Sequence, residues 1–222
     1  CYPIGAGDVL LQKTPTVFDV SVWELFWWAM EGASLRLLGV GEEKNPEAII
    51  DVIARSRVTA MHFVPSMLQV FLDYCEGSAD MTMLSSLRQV FASGEALNVH
   101  QVEKFIQLLN EKNGTRLINL YGPTEASVDV SYYDCTPGQD VMDIPIGRPI
   151  DNIGLYVVDK NLNLQPVGVK GELCISGVGL ARGYLNNPEL AAEKFTKFNR
   201  SNKSNRTYTI YRTGDLARLL GN

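Results

Sequence analysis

The sequence predicts an α/β fold in which a mainly parallel sheet comes first and a smaller, distorted antiparallel barrel follows. Two observations support this prediction. Helix and strand patterns alternate through most of the 222-residue chain, as expected for parallel strands joined by helical crossovers. After about Asp143 the pattern changes to short β-like runs separated by Gly, Pro and Asn turns, which is typical of antiparallel strands. We therefore expect two subdomains, residues 1–143 and 144–222.

Four helices are predicted in the first subdomain, each from a capping signal followed by apolar residues at helical spacing. The first begins with an S-x-x-E capping box formed by Ser21 and Glu24 and stops at Gly32, a residue that suits a helix C-terminus. The others are expected to begin at Asn45-Pro46, at Ser66 with an end near Tyr74, and at Asn98 with an end before Gly114.

Short apolar runs between these helices predict buried strands, and ligands of open α/β sheets bind beyond the carboxyl ends of such strands. Small and polar residues cluster at three of these ends, residues 63–66, 92–95 and 120–125. We therefore expect the functional site there. The strands are predicted at residues 34–38, 59–64, 87–92 and 116–120, and those of the second subdomain at 153–158, 172–176 and 207–212.

Composition excludes several classes of protein. With 20 Lys and Arg against 25 Asp and Glu, the net charge is −5, so the chain lacks the basic balance that nucleic acids and anionic membranes attract. No apolar run approaches the ~20 residues that cross a bilayer. The four cysteines form no CxxC pair and only two histidines are present, which disfavours a zinc site. We expect free thiols in the cytoplasm.

The segment 119–125, Asn-Leu-Tyr-Gly-Pro-Thr-Glu, carries the strongest chemical signal. A rigid Gly-Pro turn after a strand presents Tyr121 for stacking on a base, Thr124 as a donor to phosphate and Glu125 as an oxygen ligand for Mg²⁺. In a second segment, residues 211–216, Asp215 stands beside a glycine where a carboxylate can accept two hydrogen bonds from a ribose diol. The glycine-rich segment 171–184 misses the dinucleotide spacing and is interpreted as turns between strands.

Three further polar residues have two interpretations each. Asp19 either supports the start of the first helix or is a buried carboxylate that awaits an ammonium group, and the better placement of Ser21 as the cap leaves it free. His62 lies in an apolar strand, where it is either a core histidine or a ligand-facing one. Asp129 is either exposed or part of the site.

In their order and spacing, four segments together resemble the adenylation domains of nonribosomal peptide synthetases, which belong to the adenylate-forming superfamily together with acyl-CoA synthetases. The resemblance covers almost the whole chain and implies the N-terminal core of that fold. It also implies an internal fragment, since the family's phosphate loop would precede Cys1 and its catalytic lysine would follow Asn222. We expect no turnover from these residues alone. The matching segments are 18–24, 119–125, 171–184 with 187–189, and 211–215.

The resemblance implies a two-step reaction with ATP and Mg²⁺. An amino acid carboxylate attacks the α-phosphate, and the aminoacyl-AMP then loads the phosphopantetheine thiol of a peptidyl carrier protein. Condensation domains and a small MbtH-like activator are the other implied partners. By the same resemblance, Glu125 holds Mg²⁺, Thr124 contacts phosphate and Tyr121 stacks on adenine. Asn119 and Gly94 also lie at the nucleotide, and Asp215 binds the ribose.

The resemblance also assigns an amino acid pocket, in which Asp19 pairs with the substrate ammonium. Bulky side chains leave room for a small substrate side chain, and His62 with Asp129 require a group to hydrogen-bond. A hydroxymethyl group meets both demands, so we expect serine, then threonine, then another small polar amino acid. Leaving the buried partners unpaired disfavours alanine by about 1–3 kcal/mol. The rest of the lining is expected to be Val20, Trp23, Phe91, Ser93, Leu120 and Val128.

Two alternatives remain open. The chain is then a ligase for another small amino acid or for an acyl acid, although Asp19 argues against an acyl substrate, which carries no ammonium. Otherwise it is a non-catalytic piece that serves structure or docking.

Overall fold

A computed structural model describes residues 2–78, 80–139, 141–199 and 207–221. Their contacts divide the chain into two compact units. The parallel unit contains the chain up to Tyr121 together with Tyr132–Gly147. The antiparallel unit contains Gly122–Ser131 together with the chain from Arg148 onward. The boundary after residue 143 stays a prediction about subdomains, and the short segment Gly122–Ser131 groups with the later residues.

The parallel unit contains the sheet that the alternating pattern predicts. In space its strands follow the order β2-β1-β3-β4-β5-β6, and the neighbours from β2 to β5 pair in parallel. The strands are β1 (Val9–Gln12), β2 (Ser34–Leu37), β3 (Ala60–Phe63), β4 (Gln89–Ala92), β5 (Arg116–Tyr121) and β6 (Ser131–Cys135).

Helices connect these strands at the predicted places. The last predicted helix contains a π-helical turn, Ile106–Asn110, that the sequence pattern did not indicate. The helices are α1 (Ser21–Glu31), α2 (Pro46–Ser56), α3 (Pro65–Ser78), α4 (Val99–Phe105) and α5 (Glu111–Asn113). Large apolar side chains from the sheet and from α2, α3 and α4 form one buried core, which includes Leu11, Ile53, Phe63, Phe71 and Phe105.

Two asparagine caps are confirmed and two other caps are wrong. Asn45 accepts hydrogen bonds from two backbone N–H groups of α2, and Asn98 forms a capping box with Gln101. Ser66, in contrast, lies inside α3, where its hydroxyl and its backbone N–H bind the carboxylate of Glu95. A carboxylate reaching in from another loop has therefore replaced the local cap.

The predicted capping box of Ser21 and Glu24 is also wrong. Ser21 is the first residue of α1 and donates its hydroxyl to the carbonyl oxygen of Phe18. The carboxylate of Glu24 is fully buried and accepts three hydrogen bonds, from the backbone N–H groups of Lys13 and Thr14 and from the Thr14 hydroxyl. These donors from the preceding loop satisfy the carboxylate better than a frayed helix end would. Gly32 ends the helix in the left-handed conformation, as predicted.

The antiparallel unit has four strands in the order β10-β11-β9-β8. The antiparallel pairing is confirmed, but in the part of the chain that the structure describes these strands form an open sheet with two edges, not a closed barrel. Residues 200–206, most of the predicted loop at 199–206, lie outside the described residues. The elements are β7 (Arg148–Pro149), β8 (Ile153–Val158), β9 (Lys170–Gly177), α6 (Pro188–Lys194), β10 (Phe195–Asn199) and β11 (Thr207–Arg218).

Among the described residues, no helix combines the length and the apolar character that crossing a membrane requires. Cys75, Cys135 and Cys174 are buried free thiols, and burial raises the pKa of each to about 12. Cys1 lies outside the described residues.

Candidate functional site

The carboxyl ends of β3 and β4 bring three of the predicted pocket residues together. His62 and Phe91 are register neighbours on these adjacent strands, and Ser93 follows β4 directly. The His62 Nε2 atom lies 2.9 Å from the Ser93 hydroxyl oxygen, and both side chains are buried. The structure therefore forms an imidazole–hydroxyl pair at the edge where the sequence predicted the site.

Aromatic rings surround this pair. The Trp23 ring of α1 meets His62 edge to face at a centroid distance of 6.0 Å and meets Phe91 at 5.4 Å. Trp27 packs on Phe91 at 6.0 Å. Tyr2 packs on the same ring at 5.5 Å. The sequence analysis missed Tyr2, because only the folded chain brings this N-terminal residue to β4.

Three predicted pocket residues carry buried polar atoms that have no hydrogen-bond partner within the described residues. These atoms are Oδ2 of Asp19, Nε1 of Trp23 and Nδ1 of His62. An unsatisfied buried polar atom costs about 1–3 kcal/mol, so native structures contain few of them. Their concentration in one predicted pocket is typical of a site whose ligand supplies the missing partners. An orphaned carboxylate oxygen at Asp19 suits an ammonium group.

Burial decides the charge of His62. It lowers the pKa of the imidazole to about 3, with the positive charge of Lys13 as the second cause. The ring is therefore neutral at physiological pH, with one nitrogen as donor and the other as acceptor. A neutral imidazole that already contacts a hydroxyl is suited to recognise another small neutral polar group.

The remaining predicted residues of the parallel unit lie near the strand ends. Val20 occupies the N-cap position of α1, and Leu120 and Tyr121 end β5 half-buried. Asn119 is buried, and its amide nitrogen donates to the carbonyl oxygen of Pro145 at 2.8 Å. Gly94 has a φ of 89° and is exposed, a conformation that glycine adopts readily.

In the antiparallel unit, a short 3₁₀ turn, Thr124–Ala126, presents an exposed Thr124 and a half-buried Glu125. A side chain at Gly122 would collide with the carbonyl oxygen of Val128, which explains the glycine before this turn. Val128 itself has a φ of 77° and follows another left-handed residue. A β-branched residue in this region is rare and strained. Val128 and Asp129 are both half-buried.

Glu125 is held by tyrosines. The Tyr184 hydroxyl donates to its Oε1 atom at 2.6 Å, and the Tyr211 hydroxyl interacts with the same carboxylate. Burial opposes ionisation of Glu125, but the hydrogen bonds from Tyr184, Tyr211 and the backbone prevail and lower its pKa. Tyr184 and Tyr211 lie in segments that the sequence analysis singled out, yet it gave neither tyrosine a role.

Asp215 lies exposed in β11, at a register shift between Arg212 and Leu216. Glu172 anchors this stretch, because its carboxylate binds the Arg212 guanidinium at 2.6 Å and the backbone N–H of Gly214 at 3.3 Å. Sequence analysis missed Glu172, whose partners lie 40 and 42 residues away. The arrangement fixes the backbone that carries Asp215.

The donor set at Glu125 fits Mg²⁺. Among the described residues there is no group of three metal-ligating side chains, which argues against a cation held entirely by protein. Mg²⁺ keeps several waters and is typically bound through one or two carboxylates together with substrate phosphates. A single, ionised carboxylate is a sufficient protein ligand for that mode.

The predicted residues divide between the two units. Those that the structure links by direct contacts are His62, Ser93, Trp23 and Phe91. The parallel unit also holds Asp19, Val20, Gly94, Asn119, Leu120 and Tyr121, and the antiparallel unit holds Thr124, Glu125, Val128, Asp129 and Asp215.

Comparison with known proteins identifies the class. The family model of the AMP-binding enzyme matches residues 1–185. The chain belongs to this family of AMP-binding enzymes.

More specific similarities lead to one group within the family. The chain is 54% identical over 218 residues to zwittermicin A synthase ZmaJ of Bacillus cereus, covering 97% of this chain and 40% of that protein. It is 52% identical over 222 residues to a large polypeptide of the mycosubtilin synthase of Bacillus subtilis, covering 99% of this chain and 8% of that polypeptide. The chain therefore spans less than half the length of these relatives.

A solved structure confirms the predicted fold. The crystal structure of the nonribosomal peptide synthetase FmoA3 in its alpha-methyl-L-serine-AMP bound form superposes with a TM-score of 0.86 at 29% identity. The match covers 96% of this chain and 23% of that one.

Proposed function

We propose that this chain is part of an adenylation domain that activates an amino acid with ATP for nonribosomal peptide synthesis. Family membership and the similarity to nonribosomal peptide synthetases support the class of reaction. The observation that carries the amino acid assignment is the unpaired, buried carboxylate oxygen of Asp19. An acyl acid has no ammonium to pair with it, so Asp19 favours an amino acid substrate.

In the proposed first step, a carboxylate oxygen of the amino acid attacks the α-phosphorus of ATP. The bond from that phosphorus to the bridging oxygen of pyrophosphate breaks, and aminoacyl-AMP and pyrophosphate result. Negative charge gathers on the phosphate oxygens, where preplaced donors and a cation lower the barrier. Thr124 offers a hydroxyl donor, and Glu125 would hold Mg²⁺, which neutralises phosphate charge when bound.

Binding groups for the nucleotide come from both units. Tyr121 provides a flat ring for adenine, Asn119 and Gly94 are assigned to the same nucleotide, and Asp215 accepts from the ribose hydroxyls. In the second step, the phosphopantetheine thiol of a carrier protein attacks the acyl carbon, and AMP leaves. The protein supplies orientation in both steps, which converts a bimolecular encounter into a positioned reaction.

Serine is the proposed substrate. Large rings at Trp23 and Phe91 limit the space, and the neutral His62–Ser93 pair retains an unsatisfied nitrogen for a hydroxyl group. Val20, Leu120, Val128 and Asp129 complete the proposed lining. The FmoA3 structure, with a serine derivative in its bound adenylate, supports this choice. Threonine is the next candidate, because its extra methyl group must fit against the rings.

The proposed partners are a peptidyl carrier protein and condensation domains, with an MbtH-like activator as a further candidate. The small share of the mycosubtilin synthase polypeptide that this chain spans supports a multidomain setting. The free thiols of the three described cysteines support a reducing compartment, the cytoplasm.

Amino-acid-dependent exchange between ATP and pyrophosphate tests the proposal. The protein to use is the complete adenylation domain, that is, these 222 residues with their flanking segments, assayed with each common amino acid. We expect exchange to peak at serine. A maximum at a large apolar amino acid would refute the serine pocket and keep the reaction. Absence of exchange with every amino acid, with and without an MbtH-like protein, would refute amino acid activation.

A further inference from the structure

The carboxylate of Glu125 belongs to a cluster of three side chains in the antiparallel unit. The Tyr184 hydroxyl donates to Oε1 at 2.6 Å, a short bond of the kind that a charged acceptor makes. The Tyr211 hydroxyl interacts with both Glu125 and Tyr184. The two phenols therefore address one carboxylate from two separate segments of the chain.

The tyrosine rings are themselves fixed. Phe195 of β10 is the register neighbour of Tyr211 on β11, and its ring lies 5.1 Å from the Tyr211 ring and 5.8 Å from the Tyr184 ring. Tyr211 is buried. Rings held by packing direct their hydroxyl groups to one place, so the phenols constrain the carboxylate more than mobile side chains would.

The backbone around Glu125 is tied to the segment that leads to Tyr184. The Ala181 N–H donates to the carbonyl oxygen of Glu125 at 2.8 Å, and the Ser127 hydroxyl donates to the carbonyl oxygen of Gly179 at 2.6 Å. A Cβ atom at Gly179 would lie 2.8 Å from the carbonyl oxygen of Ala126. This close approach keeps the turn and the tyrosine segment in one arrangement.

We propose that Tyr184 and Tyr211 are positioning residues that hold Glu125 in one orientation before Mg²⁺ and nucleotide bind. The inference rests on the proposed role of Glu125 as the magnesium ligand. A carboxylate that is already oriented loses less conformational freedom when the cation binds. The phenols thus act through Glu125 and contact neither substrate nor reacting atoms in this assignment.

Replacement of Tyr184 and of Tyr211 by Phe tests the proposal, because it removes the hydroxyl and keeps the ring against Phe195. The probe is Mn²⁺ in the presence of a non-hydrolysable ATP analogue, with the bound cation measured by electron paramagnetic resonance on the complete adenylation domain. Tyr208→Phe is the matched control, since Tyr208 lies on the same strand and is 38% exposed.

We expect each variant to weaken Mn²⁺ binding about 3- to 10-fold, as for loss of one hydrogen bond, and the double variant to weaken it further. The KM for the amino acid and the control variant should not change. Unchanged or tighter Mn²⁺ binding in Tyr184→Phe would overturn the proposal, since the phenol would then be neutral or a competitor of the cation. If the buried Tyr211→Phe variant fails to fold, the half-buried Tyr184 alone decides.

Glu125→Gln separates this inference from the proposed function. If that variant binds Mn²⁺ as the parent does, Glu125 is not the metal ligand and both proposals about this carboxylate fail. If it loses affinity while Tyr184→Phe does not, only the positioning role fails.

Discussion

The two units treat the polar groups of their predicted sites in opposite ways. In the parallel unit, Asp19, Trp23 and His62 each keep a buried polar atom without a partner among the described residues. In the antiparallel unit, the carboxylate of Glu125 is bound by tyrosine hydroxyls, and Glu172 anchors the stretch that leads to Asp215. The first pattern suits a dehydrated ligand that brings its own partners. The second suits a hydrated cation and phosphates, which need a prearranged surface.

This contrast predicts that substitutions in the parallel unit change selectivity for the amino acid, whereas substitutions in the antiparallel unit change binding of the nucleotide and metal. Four predictions test this division, all with the complete adenylation domain.

Asp19→Ala should give the largest effect. The substrate ammonium would lose its proposed carboxylate partner and stay buried without compensation, which costs about 3–5 kcal/mol. We expect kcat/KM for serine to fall about 100- to 1000-fold, with the KM for ATP little changed. Asp51→Ala is the control, because Asp51 pairs with Arg55 on the surface of α2. A loss below about threefold would show that Asp19 is not the ammonium partner.

His62 should make stability depend on pH. Its folded pKa, about 3, lies below the ordinary value of 6.5, so the unfolded chain takes up a proton that the folded protein refuses. The stability that a neutral His62 provides is therefore present above about pH 6.5 and is lost as the pH falls towards 3. We expect a loss of about 2–3 kcal/mol between pH 7 and pH 4.5.

Denaturant unfolding at several pH values measures this effect as the difference between the parent and His62→Gln. His100→Gln, at the exposed histidine of α4, is the control. Parallel pH curves for the parent and His62→Gln would contradict a buried neutral imidazole.

Ser93→Ala should relax selectivity. It leaves His62 Nε2 without its hydroxyl partner, and the pair can no longer present one hydrogen-bonding arrangement to the substrate. We expect the preference for serine over alanine to fall about 10-fold, corresponding to one hydrogen bond. Exchange rates with the two amino acids measure it, and Ser66→Ala, which alters a surface contact with Glu95, is the control. An unchanged preference would place the serine hydroxyl elsewhere.

Glu172→Ala should give the smallest of these effects, on the nucleotide side. Without this carboxylate, Arg212 and the Gly214 N–H lose the group that fixes the backbone before Asp215. We expect the KM for ATP to rise about threefold, as for one partly exposed ion pair, with the KM for serine constant. Glu189→Ala in α6 is the exposed control. A selective rise in the KM for serine would break the division between the units.

Local signals predicted the fold well. Asn45 and Asn98 cap their helices because their partners lie within the next three residues, and alternation of elements sufficed for the parallel sheet. Ser66 and Glu24 were misassigned because stronger partners come from elsewhere: Glu95 is 29 residues from Ser66, and Thr14 is 10 residues from Glu24. A capping pattern cannot reveal such competition.

The site was predictable only where strand ends gather it. His62 and Ser93 are 31 residues apart, but both follow from the rule that parallel strands end at one edge. The contact between Tyr184 and Glu125 joins residues 59 apart, through a loop beyond β9. No periodicity encodes that distance, so the tyrosine cluster required the folded structure.

The left-handed backbone at Val128 has a consequence for library design. In a saturation library, most replacements at position 128 would alter two things at once, the side chain offered to the proposed pocket and the ease with which the main chain bends. Glycine and asparagine, which enter the left-handed region at little cost, are therefore the reference members of such a library. Measured against them, each remaining variant reports the contribution of its side chain to substrate choice.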